Sequence, residues 1–155
     1  MADKPLILIV DDEKDLADNI SEIIKSSGLY NIATAYSTKT AQEVLKKNQP
    51  LLGIGKNRVR LIILDIKMPG VDGLKLLSEI RAEYLGIGVI ILTAFEDREK
   101  WEKARQGLVS AYFKKPIKEQ ELLSAIERFF DGKEDWMIEQ TKWELLAREA
   151  EEKNQ

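Results

Sequence analysis

The chain contains no cysteine and no histidine. Without cysteine there is neither a disulfide framework nor a thiolate metal site. Without histidine the commonest general base and the commonest transition-metal ligand are missing. Chemistry is left to carboxylates, hydroxyls, lysine and the backbone, an inventory that suits hard cations and phosphate. Long hydrophobic runs are absent too. Leu6 to Val10 is too short for a signal-peptide core and runs straight into acids, and no stretch approaches the roughly 20 residues of a membrane span. A soluble cytoplasmic protein without a membrane partner is expected. Nor is positive charge in excess: 24 Lys and Arg stand against 27 Asp and Glu, for a net charge of -3. The basic residues read as scattered, so no direct contact with nucleic acid is expected. At 155 residues and 44% hydrophobic content, the chain can bury one ordinary core and carry a short appendage.

What is present is organised around Leu61-Ile62-Ile63-Leu64-Asp65-Ile66-Lys67-Met68-Pro69-Gly70-Val71-Asp72-Gly73. Four consecutive branched apolar residues suit a strand buried on both faces, as in the middle of a parallel sheet. The run ends on a carboxylate. Pro69 and Gly70 stop the strand, and Asp72 is placed to cap a helix whose apolar face begins at Leu74 and continues through Leu77, Ile80 and Arg81. Asp65 then sits at the carboxyl end of a central strand, on the rim where open α/β sheets bind ligands.

Taken in order, Pro5 to Val10 reads as a buried strand ending at Asp11-Asp12-Glu13, followed by a helix bearing Leu16, Ile20, Ile23 and Ile24 and closed by Gly28. A weaker strand runs from Asn31 to Tyr36, and Ser37 or Thr38 caps a helix with Ala41, Val44 and Leu45. Periodicity lapses from Asn48 to Arg60, predicting an inserted surface loop over 48–60. Further strands are expected at Gly88 to Leu92, ending on Thr93-Ala94, and at Ala111 to Lys115, ending on Pro116. Helices are expected from Asp97 to Gln106 and from Lys118 to Phe130. This alternation implies βαβ units and one parallel sheet with helices on both sides. Residues 1–131 form the expected domain and 132–155 a helical extension. In the latter, Trp136, Trp143 and Ala150 recur every seven residues, a spacing that serves a helix-helix seam. Docking in cis, a homodimer and partner docking all remain open, and bare exposure of two tryptophans is not expected.

Every notable polar group follows an apolar strand: Asp11 and Asp12, then Asp65, Thr93 and Lys115. Parallel topology brings these ends to one edge. Crowded carboxylates repel unless a cation neutralises them, and Mg²⁺ does so through one or two carboxylates while keeping several waters. Asp12 and Asp65 are the expected direct ligands, with Asp11 direct or through water and the Lys67 backbone carbonyl completing the set. Lys115 pairs with Asp65 and can hold a phosphoryl oxygen. So flanked, the Asp65 carboxylate can attack phosphorus, and the Thr93 hydroxyl can donate to the new phosphoryl group.

The joint pattern, an acid pair after the first strand, D-x-x-M-P-x-x-D-G after the third, T-A after the fourth and K-P after the last, resembles the response-regulator receiver domain of two-component signalling, in its single-domain, chemotaxis-type form. The likeness runs from about Pro5 to Phe130. It implies a flavodoxin-like three-layer αβα fold with a five-stranded parallel sheet of order 2-1-3-4-5, here with an extra C-terminal amphipathic helix. It implies that Asp65 is phosphorylated by a sensor histidine kinase or phosphotransfer protein. Asp11 and Asp12 belong to the Mg²⁺ pocket, Lys115 is the active-site lysine, and Thr93 with Tyr112 is the switch pair. Phe95, two residues after Thr93, stands where the family varies, and its ring is expected to slow hydrolysis of the phosphoryl group.

The expected function is that of a phosphorylation-operated switch, not an enzyme acting on other molecules, with no output domain attached and output through contact with a downstream protein. Trp101, on a largely solvated helix, Tyr112, Trp136 and Trp143 are the expected contact residues. Two rivals are a Mg²⁺-dependent phosphohydrolase with an Asp nucleophile and a receiver fold used as a constitutive binding module. The hydrolase usually needs a second acid where this chain has Lys67.

Overall fold

The computed structural model describes residues 3–66, 73–84, 86–94 and 97–154. Strands and helices alternate as β1 Leu6–Val10, α1 Lys14–Lys25, β2 Asn31–Ala35, α2 Thr38–Lys47, β3 Val59–Leu64, α3 Gly73–Glu83, β4 Gly88–Thr93, α4 Arg98–Gln106, β5 Ala111–Lys114 and α5 Glu119–Arg128, followed by α6 Glu134–Lys153. The five strands are parallel, in the order β2-β1-β3-β4-β5. This is the expected α/β architecture. β3 lies between β1 and β4, which explains its unbroken apolar run: both of its faces are covered.

Alternate residues of the strands feed two cores. Leu8, Val10, Ile62, Leu64, Val89 and Ile91 pack with the helices α2, α3 and α4. Ile7, Ile9, Leu61, Ile63, Ile90 and Leu92 pack with α1 and α5 on the opposite face. The period of two along a strand thus becomes two hydrophobic layers. Local capping matches the sequence: the Ser37 hydroxyl accepts from the Thr40 N–H, and the Asp97 carboxylate accepts from the Lys100 N–H.

The inserted loop is partly ordered by its own side chains. A 3₁₀ turn spans Leu51–Gly53. Buried Asn57 donates to the Leu45 carbonyl at 2.9 Å and accepts from the Val59 N–H at 2.8 Å, pinning the loop's return into β3. Strand pairing therefore begins at Val59, two residues before the apolar run.

After α5 a π-helical turn at Phe129–Lys133 contains Gly132 at φ +82° and re-aims the chain into α6. α6 folds back on the molecule and wraps the β5 edge of the sheet. Met137 enters the core layer of α1 and α5, and Leu145 enters the layer of α2, α3 and α4. Between them the Thr141 hydroxyl donates to the Ser110 carbonyl at 2.9 Å, and Arg105 of α4 pairs with Glu149 at 3.4 Å. The edge strand is thus covered. The seam differs from the one the sevenfold spacing suggested. Met137, Thr141, Leu145 and Glu149 face inward at intervals of four, whereas Trp136 and Trp143 are 55% and 60% exposed. Ala150 also faces out. Trp101 is half-buried and packs against the edge of the core.

Candidate functional site

Three backbone hydrogen bonds carry the site residues one step past their strands. The Asp65 N–H donates to the Val10 carbonyl at 2.9 Å, the Asp11 N–H to Ala35 at 3.1 Å, and the Lys115 N–H to Thr93 at 2.8 Å. Each extends the ladder by one residue, so the side chains project at the carboxyl rim of the sheet. The Lys115–Pro116 peptide that follows is cis.

At the rim, Lys115 Nζ donates to Asp11 Oδ2 at 2.7 Å and to Asp65 Oδ2 at 3.4 Å, and Glu13 Oε1 lies 4.0 Å away. The Asp11 and Asp65 side chains are buried and Lys115 nearly so. Burial pushes the Lys115 ammonium toward a lower pKa. The hydrogen bond donated to Asp11 and the charges of Asp65 and Asp11 more than offset this, and the net shift is upward. Lys115 therefore stays a cation, placed between two carboxylates.

One carboxylate oxygen from each of Asp11, Asp12 and Asp65 lies within 4.8 Å of the others. Asp12 is exposed and the other two are buried, so the cluster opens to solvent through Asp12. An all-oxygen donor set with an open side fits Mg²⁺, which keeps part of its water shell. Thr93 is fully buried at the end of β4, and Tyr112 is buried on β5, where β4 residue Ile91 is its register partner. Arg148 of α6 lies over the Tyr112 ring, 5.6 Å from its centroid. The C-terminal helix thus touches the expected switch residue directly.

The family profile described as "Response regulator receiver domain" matches residues 7–127. The chain belongs to this receiver family. Among curated relatives, the receiver is 32% identical over 123 residues to the uncharacterized transcriptional regulatory protein YesN of Bacillus subtilis (strain 168), covering 78% of this chain and 31% of YesN. It is 31% identical over 121 residues to the transcriptional regulatory protein PdtaR of Mycobacterium tuberculosis (strain ATCC 25618 / H37Rv), covering 78% of this chain and 54% of PdtaR. The chain therefore spans about half or less of the length of these relatives. Against the sporulation initiation phosphotransferase F of Bacillus subtilis (strain 168) it is 27% identical over 123 residues, covering 79% of this chain and 91% of that protein. Among solved structures, the CheY-like response regulator receiver domain protein from Methanospirillum hungatei JF-1 matches with a TM-score of 0.73 at 26% identity. That match covers 86% of this chain and 98% of the other.

Of the residues singled out in sequence, the structure brings Asp11, Asp12, Asp65 and Lys115 together at one point, and sets Thr93 and Tyr112 on the adjoining strands β4 and β5. Trp101, Trp136 and Trp143 lie apart, on α4 and α6. Lys67, Asp72 and Phe95 lie outside the described residues. Two contributors escaped the sequence reading. The Glu13 N–H donates to Asp11 Oδ1 at 3.0 Å and fixes that carboxylate; an acid at the third place of D-D-E hides a role played by its backbone. A Cβ on Gly73 would lie 2.5 Å from the Asp65 carbonyl oxygen and from Ile66 Cα, so the first turn of α3 can approach the Asp65 backbone only without a side chain. In sequence Gly73 stood only as the last residue of the D-x-x-M-P-x-x-D-G pattern, with nothing to signal this close approach.

Proposed function

We propose that this receiver is a phosphorylation-operated switch that accepts a phosphoryl group on Asp65 from the phosphohistidine of a sensor kinase or phosphotransfer protein. The observation that carries the proposal is the convergence of Lys115, Asp11 and Asp12 on the Asp65 carboxylate. An Asp65 oxygen attacks phosphorus, the phosphorus–nitrogen bond of the donor breaks, and its electron pair returns to the imidazole. Mg²⁺, when held by oxygens of Asp11, Asp12 and Asp65, would supply the positive charge that lets a fourth anionic group enter the acidic pocket. Lys115 moves from carboxylate pairing to a phosphoryl oxygen, and the Thr93 hydroxyl donates to another.

An apolar groove of about 450 Å³ between α1 and α5, lined by Leu16, Ile20, Ile23, Ile117 and Leu122, also reaches Lys115. Its continuity with Lys115, which pairs with Asp65, supports docking of the donor's histidine-bearing helix there. Output follows from Thr93 and Tyr112 into α4 and α6. Because α6 packs on α4 and β5, the contact surface for a downstream protein is the outer face of α6, with Trp136 and Trp143, while residues 1–131 act as the receiver and 132–155 as its output extension. The protein works in the cytoplasm and on its own carboxylate, not on a turned-over substrate; no described helix is long and apolar enough to cross a membrane.

Fluorine NMR of the full chain with beryllofluoride and Mg²⁺ tests this. Bound resonances are expected for the native sequence and none for Asp65→Asn or in EDTA. Bound signal that persists in Asp65→Asn, or none in the native protein, refutes the proposal.

A further inference from the structure

The end of the molecule opposite Asp65 has a character that the phosphoacceptor chemistry does not use. From Val44 to Leu64 the chain carries Lys46, Lys47, Lys56, Arg58 and Arg60 and no acid, in a protein of net charge -3. Five of the 24 basic residues are therefore concentrated around the α2–β3 loop. Lys46, Lys47, Lys56 and Arg58 are exposed. Half-buried Arg60 has its Nε shielded from water and without a hydrogen-bond partner among the described residues.

Within this collar of cations, Leu51, Leu52 and Ile54 are 92%, 93% and 76% exposed. Leu52 sits at φ +63°, a left-handed conformation disfavoured for any residue with a Cβ. Beside the loop lies a cleft of about 520 Å³ whose lining includes Lys4, Asn31, Asn48, Arg58 and Arg60, together with Asp3. Three other acids approach the patch: Glu79 shares a cleft with Lys46, Glu83 borders the loop, and Glu134 interacts with Arg60 and Lys56. They leave the cations in excess.

We propose that this end of the receiver docks on an anionic phospholipid bilayer, with Leu51, Leu52 and Ile54 entering the interface and the surrounding cations meeting lipid headgroups. Charge complementarity calls for an anionic partner. The apolar side chains form a convex tip instead of a groove, which a deformable bilayer receives without needing a preformed complementary pocket. A free phosphate would occupy the cleft but make no use of the tip. The inference departs from the sequence-based expectation of no membrane contact, and it stands independently of the phosphoacceptor reading. β3 runs six residues from this loop to the Asp65 end, a rise of about 20 Å. A docked molecule therefore holds its phosphoacceptor edge away from the lipid, open to a donor.

Co-sedimentation of the full chain with vesicles tests it, using phosphatidylcholine alone and phosphatidylcholine mixed with phosphatidylglycerol. The account predicts partition onto the mixed vesicles that weakens with salt. It also predicts a loss of at least about tenfold in both the Leu51→Asp/Leu52→Asp and the Lys56→Glu/Arg58→Glu double variants. All four positions are exposed, so circular dichroism of both variants should match the native protein. Absent or lipid-independent binding, or unchanged binding in the variants, overturns the proposal. So does inorganic phosphate shifting the NMR signals of Arg58 and Arg60 in a protein that ignores the mixed vesicles.

Discussion

Lys115 is the residue on which the acidic rim depends. Its side chain is 10% exposed and that of Asp11 is 4% exposed, so Lys115→Ala leaves two carboxylates buried without their cation. Breaking a buried pair in this way costs about 3 kcal/mol, to be read as a drop in urea-unfolding free energy at neutral pH. The dependence on pH has a definite sign. The ammonium's pKa is raised above its ordinary 10.5, so its contribution is complete below that value and is lost as pH rises through the raised pKa. The gap between native and variant stability should stay level from neutral pH to about 10 and close only beyond. A gap that closes near neutrality would show that Lys115 does not carry it. Gly73→Ala is expected to be harmful for a different reason, since its Cβ meets the backbone of Asp65 and Ile66. A loss of about 1–3 kcal/mol is expected, together with slowed phosphorylation. Asp11, Asp65, Thr93 and Lys115 were legible in sequence because each falls at the end of an expected strand and parallel topology does the rest. Gly73 and the Glu13 N–H were not, because their roles depend on distances between backbones, which residue types do not encode.

At the scale of elements, α6 is where sequence and structure diverge most. The inward stripe includes Thr141 and Glu149, which an apolar pattern does not select. Each is made tolerable inside by a specific partner, the Ser110 carbonyl and Arg105. The more visible sevenfold repeat of tryptophan lies on the outside. Leu145→Ala should therefore cost about 2–4 kcal/mol, whereas Trp136→Ala and Trp143→Ala should stay within about 0.5 kcal/mol of native stability while weakening capture of a downstream partner. Thermal melts of the three variants check this ordering; a Trp143→Ala variant as unstable as Leu145→Ala would contradict the described packing. Elsewhere the elements were readable because β1, β3 and β4 are each covered on both faces and caps such as Ser37 mark the helix starts. The first residues of β3 were missed because Arg60 separates Val59 from the apolar run and the Val59 N–H is held by buried Asn57.

Across the whole molecule, opposite ends of one sheet carry opposite charge. The carboxyl rim collects Asp11, Asp12 and Asp65, while the other end carries the cations of the α2–β3 loop. Mg²⁺ should stabilise the fold by relieving repulsion at the first end. At about a hundredfold excess over its dissociation constant the gain is about 2.7 kcal/mol, seen as a higher Tm that EDTA reverses and that shrinks in Asp12→Asn. The measurement that bears most directly on the account is mass spectrometry of the full chain after incubation with a small phosphodonor and Mg²⁺, followed by mapping of the adduct. The account predicts one phosphoryl group, on Asp65, lost in Asp65→Asn and formed far more slowly in Lys115→Ala. A phosphoryl group on any other residue, or one that still forms when Asp65 is asparagine, would contradict it.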